Sequence, residues 1–571
     1  MKHSKIKNIN SSDWLWLVTL LTLLIPNAAL AITENMPILA AVTNIFLPAG
    51  IYGLLLCVTP KVGRQVWWLF IFIFLAAFQI VLLDLYGRSV IAVDMFLNVV
   101  TTNSTEVGEL LGNMLPIISV VCLLYIPVLT WSCIAITRHK TMSSRFVTMA
   151  RKASLSSTIV GTFALVTCLS GGVPGYAPYR DLYPFNALYN LGLAIDRTIK
   201  VNNYHLTSAG FTYHASRNEK NDSIREICII VVGETSRARD WQLYGYPRQT
   251  TPRLSKRMGN GELVAFDKAL SQSNTTHKSV PMLLSPVTAL DFDKKIYRTR
   301  SLITAFKEAG FNTVFLSNQR HNGSFIDFFG NEADECRFIK EDNHSNLSTE
   351  DRDLLPIISD IIKGGQPRLL VVVHTYGSHF NYRERYTGTE ARFLPDDAPE
   401  AEARYREQLL NAYDNTILST DILLDSIIAT VEQSEAIGSV IYTSDHGEDI
   451  FDDSRELFLH ASPCPSFNQV HVPMFVWLSH NYRQYHPDVM DNLKRNRHRH
   501  CSPSESFCHT ALELGGILTP LRNDTLSLAS SLFKDRPWIY LNDHNKAVPL
   551  KTGAGFTDED TAQLLKLDSH Q

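Results

Sequence analysis

Two segments of the chain place ligand-type side chains directly after an apolar run. Glu234 follows the mostly β-branched run from 227 to 232, and Asp445 and His446 follow the run from 439 to 443. Such runs predict strands covered on both faces, and the carboxyl ends of strands carry the sites of open α/β sheets. Glu234 alone is typical of a solvated loop. With the Asp-His pair it forms a ligand set that suits Zn²⁺.

Three further histidines follow the same pattern. His374 and His379 bracket a short segment at the end of an apolar run from 369 to 373, and His460 lies a short loop beyond the Asp-His pair. A single histidine is more often a hydrogen-bonded core or surface residue. Three of them after strand ends in one domain favour a polar pocket that binds a metal or a phosphate.

A nucleophile is expected in the segment from 273 to 284, which is polar and then apolar. This pattern predicts a loop that leads into a helix, and Thr276 would lie in the positive field of that helix N-terminus. Taken alone, Thr276 would be read as an N-cap. A threonine nucleophile needs a metal or a base to lower its pKa, and a metal held by Glu234, Asp445 and His446 would meet that need.

Together these segments resemble the phosphoethanolamine transferases of Gram-negative envelopes. The resemblance covers nearly the whole chain and rests on motifs at 233–238 (Gly-Glu-Thr-Ser-Arg-Ala), 244–252 (Tyr-Gly-Tyr-Pro-Arg-Gln-Thr-Thr-Pro), Thr276 with Pro281, His374 with His379, 411–415 (Asn-Ala-Tyr-Asp-Asn) and 444–448 (Ser-Asp-His-Gly-Glu). It implies an N-terminal five-helix transmembrane bundle and an α/β catalytic domain of the alkaline phosphatase and sulfatase type, with a central, mainly parallel sheet.

The resemblance also implies a role for each matching residue. The donor would be phosphatidylethanolamine, the acceptor would be lipopolysaccharide, either lipid A or a core sugar, and the cofactor would be Zn²⁺. The zinc ligands would be Glu234, Thr276, Asp445 and His446, and Thr276 would take the phosphoethanolamine. The residues that would contact substrate or a second metal are His374, His379, His460 and Lys278.

One departure from the family pattern leaves the acceptor open. The lipid A modifying members, which include the transferable colistin-resistance enzymes, flank the threonine with two cysteines, whereas Gln272 and Met282 stand at those positions here. In this respect the chain is closer to relatives that modify core sugars or periplasmic glucans.

Three rival functions share the same predicted fold or pocket. A sulfatase would carry a Cys/Ser-x-Pro-x-Arg motif, and none stands near Thr276. Phosphoglycerol transferases lack the Tyr-Gly-Tyr-x-Arg run found here from 244 to 248. A non-catalytic membrane protein that kept the pocket for binding is the third alternative, and the intact set of ligand types argues against it.

The first part of the chain is organised by apolar runs that can cross a bilayer. Each is long enough to span, the last only just. Ala28 to Ala31 resembles a signal-peptide cleavage site, but four later runs favour an uncleaved first span. The runs are 14–32, 38–58, 66–86, 110–136 and 153–169.

Basic residues predict the orientation of these spans. The positive-inside rule places the basic loops in the cytoplasm, so an odd number of spans would export everything after residue 172. We therefore predict a bacterial inner-membrane protein with a periplasmic catalytic domain. The basic residues are Lys2, Lys5, Lys7, Lys61, Arg64, Arg138, Lys140, Arg145, Arg151 and Lys152.

We predict three regions, with a transmembrane domain from 1 to 172, an interfacial connector from 173 to 225 and a catalytic domain from 226 to 571. In the connector, apolar residues recur at helical spacing from Phe185 to Ile199, typical of a helix at a membrane surface or of one packed on the domain. Alternating strand and helix patterns after 226 favour the parallel sheet.

Charge and cysteine content add two expectations. The net charge of −4 gives no reason to expect a nucleic-acid partner, and the basic segment from 494 to 500 is expected to be a solvated loop, with attraction to anionic headgroups as the alternative. In an exported domain disulfides can persist, and Cys501 with Cys508 is the easiest pair to close.

Overall fold

The computed structural model describes residues 10–101, 104–217, 224–342 and 350–569. Lys2, Lys5 and Lys7 lie outside these ranges. The chain divides into two compact units. One comprises Met1–Leu97 with Leu110–Asp196, and the other comprises Asn98–Glu109 with Arg197–Gln571.

The described residues of the first part of the chain form helices joined by short loops. Small residues let two helices approach closely, since a Cβ added at Gly161 would lie 2.4 Å from the backbone nitrogen of Leu47. The helices are α1 Ser11–Thr33, α2 Ile38–Leu56, α3 Val62–Trp68, α4 Phe70–Tyr86, α5 Val93–Thr101, α6 Ser104–Thr137, α7 Ser144–Thr167, α8 Pro178–Asp181 and α9 Phe185–Asn202.

Among the described residues four helical stretches are long and apolar enough to span a membrane, and a bent pair makes a fifth if it is counted as one span. That pair corrects the expectation of a continuous third helix. The helix breaks at Leu69, where φ is −90° and ψ is 10°, and α3 and α4 differ in direction by 61°. Neither proline nor glycine marks the break, so the apolar run gave no sign of it.

The second unit is built on a mainly parallel sheet, as the strand and helix pattern predicts. In the described part of the chain its order is β3-β10-β7-β2-β6-β4-β5, with β10 antiparallel to both of its neighbours. The strands of this unit are β1 Ser216–Arg217, β2 Glu226–Gly233, β3 Leu263–Ala265, β4 Asn312–Ser317, β5 Glu335–Phe338, β6 Arg368–His374, β7 Ile437–Ser444, β8 Asp449–Ile450, β9 Phe458–Leu459, β10 Met474–Leu478, β11 Ile517–Leu518, β12 Ile539–Leu541 and β13 Ala547–Pro549.

The register of the parallel strands brings the candidate site residues to one edge of the sheet. β2 lies between β6 and β7, with Val232 opposite His374 and Gly233 opposite Ser444. Ser317, the last residue of β4, also lies opposite His374. The strands end together because both faces of the sheet bury their apolar side chains in two hydrophobic cores.

Helices cover both faces of this sheet. One of them, α12, confirms the loop that leads into a helix at Thr276. The helices are α10 Tyr204–Thr207, α11 Pro252–Gly259, α12 Thr276–Leu283, α13 Phe292–Lys295, α14 Leu302–Glu308, α15 Phe325–Gly330, α16 Ile339–Asp342, α17 Leu354–Lys363, α18 Arg406–Gln433, α19 Phe467–Val470, α20 His480–Tyr485, α21 Pro487–Asn496, α22 Pro503–Leu514, α23 Leu550–Gly553 and α24 Asp558–Ser569.

Helix α9 forms in the connector where the apolar periodicity predicts one. Phe185, Tyr189, Ile195 and Ile199 of its apolar stripe are all exposed. An exposed apolar stripe is typical of a helix at a membrane surface, and that interpretation remains a prediction.

No disulfide joins Cys501 and Cys508, the pair that is easiest to close by its spacing. Both side chains are unbridged and buried. Cys501 pairs through its backbone with the segment at Ala269, whereas Cys508 lies inside α22. Burial raises the pKa of both thiols, so they are typical of inert packing residues.

Candidate active site

Three side chains converge at the edge of the sheet where β2 and β7 end. Glu234, Asp445 and His446 are buried, and each offers a ligand atom within 4.8 Å of the other two. His446 Nε2 lies 3.5 Å from Glu234 Oε1 and 3.2 Å from Asp445 Oδ2. The structure thus brings together the three metal ligands that the sequence predicts.

The hydrogen bonds around this cluster leave lone pairs directed at its centre. His446 Nδ1 lies 3.0 Å from the carbonyl oxygen of Gly447, which assigns the proton to Nδ1. The lone pair of Nε2 is therefore available to bind a metal. Asp445 Oδ1 accepts hydrogen bonds from the backbone nitrogens of Thr235 and His446. Asp445 Oδ2, by contrast, has no hydrogen-bond partner among the described residues.

A shared cation accounts for this arrangement. Burial raises the pKa of Asp445 to about 7 and lowers that of His446 well below its ordinary range. An orphaned carboxylate oxygen beside an imidazole lone pair is costly in a buried site, and a cation between them relieves that cost. Two carboxylates and one imidazole are a donor set that fits Zn²⁺.

Thr276 directs its hydroxyl into this cluster. Its Oγ1 lies 3.2 Å from Glu234 Oε1 and 3.1 Å from His446 Nε2. Thr276 is the first helical residue of α12, and the N-cap is Thr275, whose side chain makes no capping hydrogen bond. The interpretation of Thr276 as an N-cap is therefore wrong, and its hydroxyl belongs to the ligand cluster.

An open cavity lies against Thr276, and two of the predicted histidines line it. His379 and His460 are on its wall with Glu234, and their rings lie 5.9 Å apart. His379 Nδ1 lies 2.7 Å from the carbonyl oxygen of Phe380, which leaves Nε2 as an acceptor. Burial, aided by nearby His460, lowers the pKa of His379 to about 3, so this imidazole is neutral near pH 7.

The structure does not bring His374 or Lys278 to the cavity wall. His374 Nδ1 lies 3.2 Å from Ser317 Oγ, and burial lowers its pKa to about 4. Lys278 Nζ donates to the carbonyl oxygen of Asn542 at 3.1 Å. A contact between Lys278 and a substrate at Thr276 therefore stays a prediction.

Gln319 is a site residue that the sequence reasoning missed. Its Nε2 donates to Glu234 Oε2 and to the carbonyl oxygen of Thr375, both at 3.1 Å, and it lies 3.3 Å from His374 Nε2. Gln319 therefore connects His374 to the cluster. The available signal was its position just after strand β4, but a glutamine there suggests no particular chemistry.

The cavity also includes His277 and Arg320, which no sequence pattern singled out. Arg320 is exposed and makes no ion pair with any residue that the structure describes. A guanidinium on the wall beside Thr276 suits an anionic substrate group.

The loop that carries Glu234 is held in an uncommon conformation. Thr235 has a φ of +57°, and Tyr413 fixes this turn by donating to the Thr235 carbonyl at 2.8 Å and accepting from the Arg237 nitrogen at 3.0 Å. Gly377 packs on Glu234 so closely that an added Cβ would lie 2.6 Å from its carbonyl oxygen. These contacts position Glu234 before any metal binds.

Two further motifs support the loop that carries Glu234. Arg248 donates to Asn411 at 2.7 Å and to Asp414 at 2.9 Å, and the hydroxyl of Tyr246 donates to Asp414 at 3.1 Å. The motif at 244–252 is therefore tied to the motif at 411–415 on α18, next to Tyr413. Both motifs act as structural supports of the Glu234 loop.

The fold and the ligand cluster define a sulfatase-like α/β domain. The family model described as Sulfatase matches residues 227–517, more than half of the chain. The chain therefore belongs to the sulfatase family.

Its relatives are phosphoethanolamine transferases, as the motifs predict. The phosphoethanolamine transferase EptA of Salmonella typhimurium is 30% identical over 312 residues, 52% of this chain and 54% of that protein. The chain thus matches about half the length of this curated relative.

Two solved structures share the fold. The integral membrane lipooligosaccharide phosphoethanolamine transferase A of Neisseria meningitidis has a TM-score of 0.70 at 22% identity and covers 91% of this chain and 97% of that one. The periplasmic domain of EptC from Escherichia coli, solved in complex with Zn, has a TM-score of 0.54 at 23% identity and covers 60% of this chain and 96% of that one. The first of these agrees with the predicted fold of transmembrane helices and an α/β domain, and the second agrees with that of the α/β domain alone.

Proposed function

We propose that this protein is a zinc-dependent phosphoethanolamine transferase of the bacterial inner membrane, with its catalytic domain in the periplasm. It moves phosphoethanolamine from phosphatidylethanolamine to lipopolysaccharide. The observation that carries the proposal is the placement of Thr276 Oγ1 within hydrogen-bonding distance of both Glu234 and His446, at the wall of an open cavity.

Thr276 acts as the covalent carrier. In the first step a bond forms between Thr276 Oγ1 and the donor phosphorus, and the bond from phosphorus to the diacylglycerol oxygen breaks. The proton lost by the threonine is balanced by the one that diacylglycerol gains. In the second step an acceptor oxygen takes the phosphorus, its proton is released and the Thr276 hydroxyl is restored.

Glu234, Thr276, Asp445 and His446 would hold the zinc ion, which when bound lowers the pKa of a coordinated hydroxyl and stabilises anionic oxygens. The protein's own contribution is orientation. Gln319 fixes Glu234, the Gly447 carbonyl fixes the tautomer of His446, and two backbone nitrogens fix Asp445. His379, His460 and Arg320 line the cavity, which supports the proposal that they contact substrate oxygens.

The residues that flank Thr276 favour a core sugar or a periplasmic glucan over lipid A as the acceptor. Gln272 replaces a cysteine of the lipid A modifying enzymes, and it holds its loop by hydrogen bonds, with Oε1 accepting from the Ala289 nitrogen at 2.9 Å. Met282 is buried at the second such position. Neither position supplies a thiol, so the loop around Thr276 is built differently from that of the lipid A enzymes.

Mass spectrometry of lipid A and of core oligosaccharide tests this function and locates the acceptor. Cells that express the protein should carry one additional phosphoethanolamine on lipopolysaccharide, and cells with Thr276→Ala should not. A phosphoglycerol group would favour a phosphoglycerol transferase, and loss of sulfate from a sulfate ester would favour a sulfatase. Failure of the zinc-loaded protein to release diacylglycerol from phosphatidylethanolamine would favour a binding protein without turnover.

A further inference from the structure

Besides the cavity at Thr276, a pocket lined by basic residues lies in the helical unit, at the C-terminal end of α6. Four of its lining residues are basic or imidazole side chains, namely Lys61 and Arg64 at the start of α3 and His139 and Lys140 just after α6. The two segments touch, since a Cβ added at Gly63 would lie 2.7 Å from the carbonyl oxygen of Ser132. Because Gly63 lets α3 approach α6, cations from two separate loops face one cavity.

No carboxylate neutralises these cations within the described part of the chain. Lys61, Arg64, His139 and Lys140 make no ion pair there. Asp13 is the acidic residue bonded to the loop that follows them, but it is buried and accepts hydrogen bonds from the Ser143 nitrogen and hydroxyl at 2.9 and 3.1 Å. Converging cations without a counter-ion are an anion-binding arrangement.

Tryptophans place this pocket at the depth of lipid headgroups. Trp67 and Trp68 follow within the same short helix α3 and are 40% and 70% exposed. Exposed tryptophans of membrane proteins concentrate at the membrane–water interface. Helix α2 ends at Leu56 and α7 begins at Ser144, so the membrane-spanning helices terminate at the same end as the pocket.

We propose that this pocket binds the phosphate of an acidic phospholipid in the leaflet at this end of the helices, the predicted cytoplasmic one. The positive-inside rule explains why basic residues are present on this side. It does not explain why three of them line one cavity, whereas Arg145 and Lys152, equally exposed on the next helix, do not. Basic pockets between transmembrane helices recognise lipid phosphate by charge and hydrogen bonding. This site is separate from the proposed transferase chemistry.

Native mass spectrometry of the full chain in a neutral detergent tests the proposal. The protein is titrated with phosphatidylglycerol and, separately, with phosphatidylcholine. The test variant is Arg64→Gln with Lys140→Gln, and the matched control is Arg145→Gln with Lys152→Gln, which removes the same charge outside the pocket. One cation near an anionic lipid contributes about fivefold in affinity, so the test variant should bind phosphatidylglycerol roughly thirtyfold more weakly.

The proposal requires that the control keep wild-type affinity for phosphatidylglycerol to within about threefold and that the wild type bind phosphatidylcholine far more weakly. Equal losses of affinity for phosphatidylglycerol in the two double variants would show diffuse electrostatic attraction and would overturn the proposal of a specific site. Both lipids carry a phosphodiester, but the choline cation compensates its charge in phosphatidylcholine. Equal affinity for the two lipids would therefore overturn the selection of an acidic phospholipid by these cations. A reporter fused after residue 215 checks that both variants keep the wild-type orientation.

Discussion

At the scale of single residues, the account depends on the ligand cluster at the end of β2 and β7. Asp445→Ala with His446→Ala should remove tightly held zinc from the purified protein, because two of its three buried ligand side chains are lost. Elemental analysis after dialysis measures the metal. His374→Ala is the matched control, since this buried histidine has no contact with the cluster except through Gln319, and it should keep its zinc. Unchanged zinc in the double variant would place the metal elsewhere.

Sequence reasoning succeeded for the residues whose chemistry is diagnostic. Glu234, Asp445 and His446 could be grouped from the sequence because all three follow apolar runs, and the carboxyl ends of parallel strands meet at one edge of a sheet. The presence of Gln319 and Arg320 at the site was not predictable, because it depends on the position of β4 beside β6 and not on residue type. The orientation of Lys278 was not predictable either, since the carbonyl of Asn542 that accepts its hydrogen bond lies 264 residues away in sequence.

At the scale of elements, helix α18 holds the loop that presents Glu234. Tyr413→Phe removes one hydroxyl that both donates to the Thr235 carbonyl and accepts from the Arg237 nitrogen. Leaving these groups unpaired should cost about 1–2 kcal/mol of stability and lower zinc affinity and transfer rate together. Equilibrium zinc titration and rate measurements check this outcome.

Tyr482→Phe is the matched control for that variant. The Tyr482 hydroxyl is also buried and donates to a backbone carbonyl, that of Leu514 at 3.0 Å, but it has no contact with the Glu234 loop. The control should lose a similar amount of stability and keep wild-type zinc affinity. If both variants lose zinc equally, the effect comes from general destabilisation and Tyr413 has no positioning role.

Helix α18 also carries a carboxyl group that makes stability depend on pH. Asp421 accepts hydrogen bonds from the backbone nitrogens of Arg253 and Leu254 at the start of α11. Burial raises the pKa of Asp421 from 3.8 to about 7 despite these bonds. The folded protein therefore keeps a proton that the unfolded chain releases near pH 4, so stability falls as pH rises from about 4 to 7.

The wild type should accordingly show a lower unfolding temperature at pH 8 than at pH 5. In Asp421→Asn the unfolding temperature should decrease less between these two pH values. Part of the decrease should remain, because burial also raises the pKa of Asp414 and Asp449 to about 7. Differential scanning fluorimetry of the full chain across this range measures both slopes. Identical slopes would show that Asp421 does not titrate as its burial implies.

Element boundaries were less predictable than element types. The apolar run at 66–86 gave the presence of a helix but not its break at Leu69, which has no proline or glycine signal. Cys501 and Cys508 are close in sequence but form no disulfide, because close spacing does not fix the direction of two side chains, one in an extended bridge and one in a helix.

At the scale of the whole molecule, the distribution of Lys and Arg predicts the orientation of the chain in the membrane. A reporter that is active only outside the cytoplasm should be active when fused after residue 215 and inactive when fused near residue 145. This result follows from five spans with the bent pair α3 and α4 counted as one. The reverse activities, or activity at both positions, would contradict that topology.

The central claim is that Thr276 carries phosphoethanolamine between donor and acceptor. The most direct measurement is mass spectrometry of the peptide that contains Thr276, after incubation of the zinc-loaded full chain with phosphatidylethanolamine and no acceptor. Thr276→Ala should remain folded and zinc-bound, because Thr275 is the N-cap of α12 and Glu234, Asp445 and His446 remain.

The account predicts a mass increase of one phosphoethanolamine on Thr276 in the wild type and none in Thr276→Ala. Thr276→Ser should retain part of the modification, since the hydroxyl remains while the methyl group that restricts its rotamer is lost. Modification of Thr275 in place of Thr276, or full transfer activity in Thr276→Ala, would contradict the covalent role of Thr276.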